Sequence, residues 1–193
     1  HMIEKYGEEF TMDNYGTVFS VEHPDWNFNV KYLEQKGCIV DNYIVFLRRD
    51  EIKSEIEPIL TDIYGDCKIS VLPEWFAPPS TTKDTTSTEL LSAAFQGEAN
   101  CMVIVCYTTA PIENRDADLV DAIQAIQENG YAFTFCVRYT NGEIFEKIPD
   151  EHYREFPLDM KRYYCKTRSY IWGKSCWDYE WEEGQLSDMK ETD

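Results

Sequence analysis

The stretch Asp41 to Pro73, DNYIVFLRRDEIKSEIEPILTDIYGDCKISVLP, constrains the fold more than any other part of the chain. Val45, Ile52, Ile56, Ile59, Leu60 and Ile63 recur at spacings of three, four and seven, the repeat of one helical face. Arg48, Arg49, Glu51, Lys53, Glu55 and Glu57 fall largely elsewhere on the cylinder and are expected to be solvated. Asp41 and Asn42 are side chains suited to capping the first backbone N–H groups. Pro58 lacks a backbone donor and is expected to kink the helix or divide it. A rival reading makes Tyr43 to Leu47 a strand and starts the helix at Asp50, but the stripe favours one continuous helix. Gly65 supplies a left-handed stop, and Cys67 to Leu72 reads as a buried strand. A chain of this kind must lay a helix against a sheet.

Charge narrows the classes of function. The chain of 193 residues carries 18 basic and 36 acidic side chains, a net of −18. Nucleic-acid binding depends on phosphate neutralisation and is disfavoured by that field. Anionic membranes are disfavoured on the same ground, whereas a basic protein partner suits it. Apolar residues make up 43% and aromatic ones 15%, enough for a real core. The longest apolar run, Cys101 to Tyr107, is too short to span a bilayer. His1-Met2 looks like an expression-vector remnant, and a native segment upstream of it is expected.

Along the rest of the chain, residues 3–9 suggest a short helix. Gly16 to Val21 and Asn27 to Leu33 read as two strands around the turn His23-Pro24-Asp25. Residues 73–88 hold three prolines and seven Ser or Thr, and form the expected linker between two halves. Beyond it come a short helix over Thr88 to Phe95, a buried strand over Met102 to Tyr107 and a helix over Arg115 to Glu128. The apolar stripe of that last helix is Leu119, Val120, Ile123 and Ile126. Tyr131 to Tyr139 is a strand, and Asn141-Gly142 is a hairpin signal leading into a strand over Glu143 to Ile148.

The C-terminal segment is the least ordinary. Residues 161–174 carry five basic residues and no acid, and residues 176–183 alternate Trp177, Tyr179 and Trp181 with acids. A turn centred on Gly173 sets Arg168 against Asp178 and Lys166 against Glu180. Such pairs are worth roughly 0.2–1 kcal/mol each. In that register Cys165 and Cys176 point to opposite faces and do not bridge. Residues 184–193 read as a disordered polar tail.

Residue sets for chemistry are scarce in the sequence. No HExxH, phosphate-cradling glycine loop or GxSxG is present, and no cofactor is expected. His23 sits before a proline in a turn and His152 among charges, so both are read as surface residues. None of the seven cysteines lies in a metal-ligand spacing, and no metal is expected. Asn114-Arg115-Asp116-Ala117-Asp118 lacks the glycine and distal glutamate of a calcium loop. Aromatic residues in unusual settings supply the expected partner contacts: Trp75 and Phe76 in the linker, and Trp177, Tyr179 and Trp181 at the C-terminus.

Tyr6-Gly7-Glu8-Glu9-Phe10, followed by Asp41-Asn42-Tyr43, Glu51-Ile52 and Ile63-Tyr64-Gly65, resembles a loose group of short lipoproteins of clostridial-type Gram-positive bacteria. In these a "KYGEEF" helix follows a lipidated cysteine and a "DNY" helix leads into a strand. The resemblance spans residues 3–72. It implies an extracytoplasmic location, with a membrane anchor on an N-terminal lipid upstream of His1. It carries over no activity.

The expected architecture is α+β, helices packed on mainly antiparallel sheet. It is divided into similar lobes over residues 3–75 and 88–183, or forms a single domain. The expected function is non-enzymatic binding of a protein or glycan outside the cytoplasm. One alternative is a cytoplasmic, acidic, immunity-type inhibitor of a basic toxin. The other is a carbohydrate-active or carbohydrate-binding protein, since 36 acids always offer some carboxylate pair.

Overall fold

The computed structural model describes residues 1–14, 16–93, 96, 100–149, 165–170 and 179–182, the last two stretches and residue 144 as backbone alone. The fold is α+β. Its frame is a five-stranded sheet in the order β5 (Cys67–Pro73), β6 (Met102–Thr108), β7 (Thr134–Tyr139), β8 (Cys165–Tyr170), β9 (Tyr179–Glu182). Only β6 and β7 run parallel among these neighbours. A parallel pair requires a crossover, and α4 (Arg115–Glu128) provides it. Two hairpins precede the sheet: β1 (Phe10–Met12) with β2 (Val18–Ser20), and β3 (Val30–Leu33) with β4 (Cys38–Asp41). The two strands expected around His23 therefore each pair with a different partner.

The apolar stripe of residues 41–63 folds as one helix, α2 (Tyr43–Tyr64), unbroken through Pro58. Pro58 lies on the exposed face, where the carbonyl at position 54 that loses its bond meets water rather than core. Gly65 then takes φ 67°, and its N–H bonds to the Thr61 carbonyl at 3.0 Å. Ile52, Ile56 and Leu60 of α2 are fully buried against Ile69, Ile104 and Phe135 of the sheet and Leu119, Ile123 and Ile126 of α4. Val120, expected in the stripe of α4, is 54% exposed, and Ala122 takes the buried place. Residues of both halves share this cluster, which also holds Leu90 and Leu91 of α3 (Ser87–Ala93).

On the opposite face of the sheet, Val105, Tyr107 and Cys136 pack with Phe145 and Ile148. Here Glu143 to Ile148 differs from expectation: it forms α5 (Gly142–Lys147), not a hairpin strand. Asn141 gives its carbonyl to the Phe145 N–H at 2.9 Å, a first helical bond. Phe145 and Ile148, three apart, then cover the sheet together, which alternation in a strand would have prevented. In the C-terminal hairpin the register pairs Arg168 with Glu180 and Lys166 with Glu182. That is shifted by two positions from the expected pairing, and a shift of two keeps each residue on its face. Trp177, Cys176, His152 and the 184–193 tail lie outside the described residues.

The segments Lys5 to Phe10 and Asp41 to Tyr43 meet in space. Lys5 and Tyr6 belong to α1 (Met2–Tyr6), and both reach Asp41. Lys5 Nζ lies 2.7 Å from Asp41 Oδ2, and the Tyr6 hydroxyl donates to Oδ1 at 2.6 Å. Asp41 Oδ1 also accepts from the Tyr43 N–H, and its backbone carbonyl from the Ala77 N–H. Gly7 turns the chain at φ 74°, so that Glu8 accepts from the Tyr43 hydroxyl and Phe10 packs edge-on against the Tyr43 ring at 5.1 Å. Asn42 serves the β3 approach, accepting from the Asn29 N–H at 2.8 Å, and makes no helix-capping bond.

The described cysteines are free thiols with unequal acidity. A hydrogen bond from Cys106 lowers the Cys67 pKa against the opposing effect of burial, with further help from the Thr61 hydroxyl 3.6 Å away. Burial pushes Cys101 up to about 12 and raises Cys106 well above the usual thiol value. Thiolate is the reactive form, so alkylation of the folded chain followed by peptide mass spectrometry should find Cys67 modified before Cys101 and Cys106. Earlier labelling of either buried thiol would contradict this acidity order.

Candidate functional site

The C-terminal half of α2 and the length of α4 diverge enough to leave a cleft of about 750 Å³. Pro58, Ile59 and Ile63 line it from α2 and Ala125 from α4. Ile59 and Ile63 belong to the stripe that the helical period assigns to the core, yet both are only partly buried. Their neighbours Ile56 and Leu60 fill the contact with the sheet, and the outer pair is left as the apolar floor of the cleft. Four carboxylates surround that floor: Asp62 from α2, and Asp118, Asp121 and Glu128 from α4. None of the lining residues is basic.

The acids are held in different ways. Asp118 accepts from the Tyr139 hydroxyl at 3.3 Å. Burial raises its pKa, the neighbouring Asp121 adds to the rise, and the Tyr139 bond opposes it. Glu128 accepts from Gln124 Nε2 at 2.9 Å, one helical turn away. The α2 and α4 backbones are fixed by their apolar faces beneath, so these side chains stand on rigid elements. Such a cleft can attract a cationic group at its rim while an apolar group displaces water from Ile59 and Ile63.

The residues expected from sequence to make contacts stand elsewhere. Trp75 stands two residues past the end of β5 and is 61% exposed, while Phe76 beside it is half-buried. Tyr179 and Trp181 lie on β9, at the other edge of the same sheet. Four inter-strand steps separate β5 from β9, or about 19 Å at ~4.8 Å each. Sequence reasoning passed over the cleft because Asp118 was weighed only within a calcium-loop pattern that it does not complete. The only local hint was an apolar stripe that continues past an exposed Pro58.

A separate carboxylate, Glu55, ties α2 to its neighbours. It accepts from the hydroxyls of Ser87 and Thr88 of α3, and from Tyr131, which leads towards β7, at 2.9 Å. This is a fastening within the fold, since three elements converge on one side chain.

The fold is thus an α+β sheet-and-helix body with an acidic inter-helical cleft. Comparison of the chain with family models, with curated proteins and with solved structures returns no match. Among the described residues no helix is long and apolar enough to cross a membrane.

Proposed function

We propose that this chain is a non-enzymatic binding protein that receives a basic, amphipathic segment of a protein partner in the cleft between α2 and α4. The observation that carries the reading is the pairing of an apolar floor, Ile59 and Ile63, with four carboxylates and no lining cation. An amphipathic segment with Lys or Arg flanking Leu or Ile matches both features at once. Opposite charges speed encounter and fix orientation more than they add affinity. An extracytoplasmic, lipid-anchored location is supported by the likeness of the Lys5 to Phe10 and Asp41 to Tyr43 segments to the lipoprotein group.

The same cleft suits an immunity-type inhibitor in the cytoplasm, whose occupant would be a surface segment of a basic toxin. Both versions share one test. Synthetic amphipathic peptides with basic and apolar faces should bind the intact chain, with backbone NMR shifts concentrated on residues 58–63 and 118–129. Asp118→Asn with Asp121→Asn should weaken binding about 2- to 30-fold, the sum of two exposed pairs at ~0.2–1 kcal/mol each. Added salt should weaken the intact chain more than the double variant. Because the Asp118 pKa is raised, acidification should protonate that rim position ahead of ordinary aspartates and reduce binding. Equal binding of a neutral peptide of the same apolar pattern, or shifts confined to another surface, would refute the proposal.

A further inference from the structure

We infer that Glu8, Glu22 and His23 form a binding site for one divalent transition-metal ion of the zinc type. Each offers a ligand atom, and the three atoms all lie within 4.8 Å of one another. Two carboxylate oxygens and an imidazole nitrogen are a donor set that zinc accepts, with a fourth position left for water. Tetrahedral bonds of about 2.0–2.1 Å place neighbouring ligand atoms about 3.4 Å apart. The site lies at the opposite end of α2 from the acidic cleft and stands independently of the binding reading.

Mixed chemistry distinguishes this cluster from the acidic residues spread over the surface. Among the described residues neither Glu8 nor Glu22 makes an ion pair with a Lys or Arg. Two carboxylates thus converge with no fixed cation, on a chain of net charge −18.

The ligands are also held from behind, as metal ligands usually are. Glu8 accepts from the Tyr43 hydroxyl, and Tyr43 is fully buried. Ser20 Oγ lies 3.2 Å from that hydroxyl and accepts from the His23 N–H at 3.1 Å. The His23 ring stacks on Trp26 at 3.8 Å with planes 6° apart, which sets the ring's plane. Trp26 is in turn backed by Phe46, at 5.4 Å, and by the Arg49 guanidinium, 5.2 Å from its ring. Glu8 comes from the segment after α1, whereas Glu22 and His23 follow β2, so an ion here would clamp the first turn of the chain to the first hairpin.

The test is Zn²⁺ uptake by the full chain, read by competition with a chromophoric chelator, with Co²⁺ as the spectroscopic stand-in. One equivalent should bind, and Glu22→Gln or His23→Gln should each lower affinity by at least about 100-fold. That exceeds the ~10–100-fold expected from losing an outer partner, as in Tyr43→Phe. The Co²⁺ spectrum should lack a thiolate charge-transfer band, which separates this site from the cysteines. Ca²⁺ should compete poorly, because imidazole is a weak ligand for it. Should His23→Gln fail to fold, Glu22→Gln at an exposed residue still decides. Absence of uptake, uptake unchanged in the variants, a thiolate band, or equal affinity for Ca²⁺ would overturn the assignment.

Discussion

Asp41→Asn should lower the free energy of unfolding by about 3–5 kcal/mol, the cost of breaking a buried ion pair from one side. The Lys5 and Asp41 side chains are 6% and 0% exposed, so water cannot take over when the carboxylate is removed. Asparagine keeps one oxygen for the Tyr6 hydroxyl and the Tyr43 N–H, the two donors now shared by Oδ1. Its amide nitrogen would replace Oδ2, however, and meet the Lys5 ammonium donor to donor. At roughly 2–4 °C per kcal/mol for a chain of this size, the melting temperature should fall by about 6–20 °C. Lys5→Met combined with Asp41→Leu should cost less than Asp41→Asn alone, because no charge is then left buried without its partner. A loss below about 1 kcal/mol in denaturant titration would show that the pair adds nothing to the fold.

Phe135→Ala should cost a similar amount, about 3–5 kcal/mol, for a different reason. Phe135 is fully buried on β7, the strand paired to β6 on one side and β8 on the other. Its ring packs with Tyr64 of α2 at 6.4 Å and with Phe133 at 6.5 Å. Neither the sheet beneath nor the helices above can move into the space without losing contacts of their own, so a cavity remains. The denaturant midpoint should fall with the slope unchanged, since the same surface is exposed on unfolding. A loss under about 1.5 kcal/mol would mean that the layer collapses around the deletion.

How far the sequence reached depends on how local each signal was. Helix α4 was expected over Arg115 to Glu128 and is found there, because its apolar spacing lies within one short window. The α2–Gly65–β5 unit was legible for the same reason. Pairing partners were not: Phe10 to Met12 and Cys38 to Asp41 are too short to announce strands, and they claim the partners that β2 and β3 were expected to find in each other. Asn141-Gly142 misled because a hairpin dipeptide also suits a helix entry, and only Val105 and Tyr107 on the sheet decide between them. The parallel β6–β7 pair had a fair signal, a buried apolar run on each side of a helix.

The candidate sites were harder to see than the fold. Cleft residues Asp62 and Asp118 are far apart in sequence and become neighbours only when α4 crosses back beside α2. Asp41 was read as a helix cap, a local role, whereas its two shortest bonds go to Lys5 and Tyr6. Glu8 and His23 illustrate the same point, since nothing in either segment alone brings a carboxylate to an imidazole.

The clasp between Lys5 and Asp41 spans 36 positions of chain and closes them into a loop. Mechanical load entering at the amino terminus therefore reaches the end of β4, at the head of α2, through side chains, bypassing β1 to β3. The small hairpins stay slack while the clasp and the ring cluster around Tyr43 bear the tension. A body tethered from that end would resist being peeled open strand by strand.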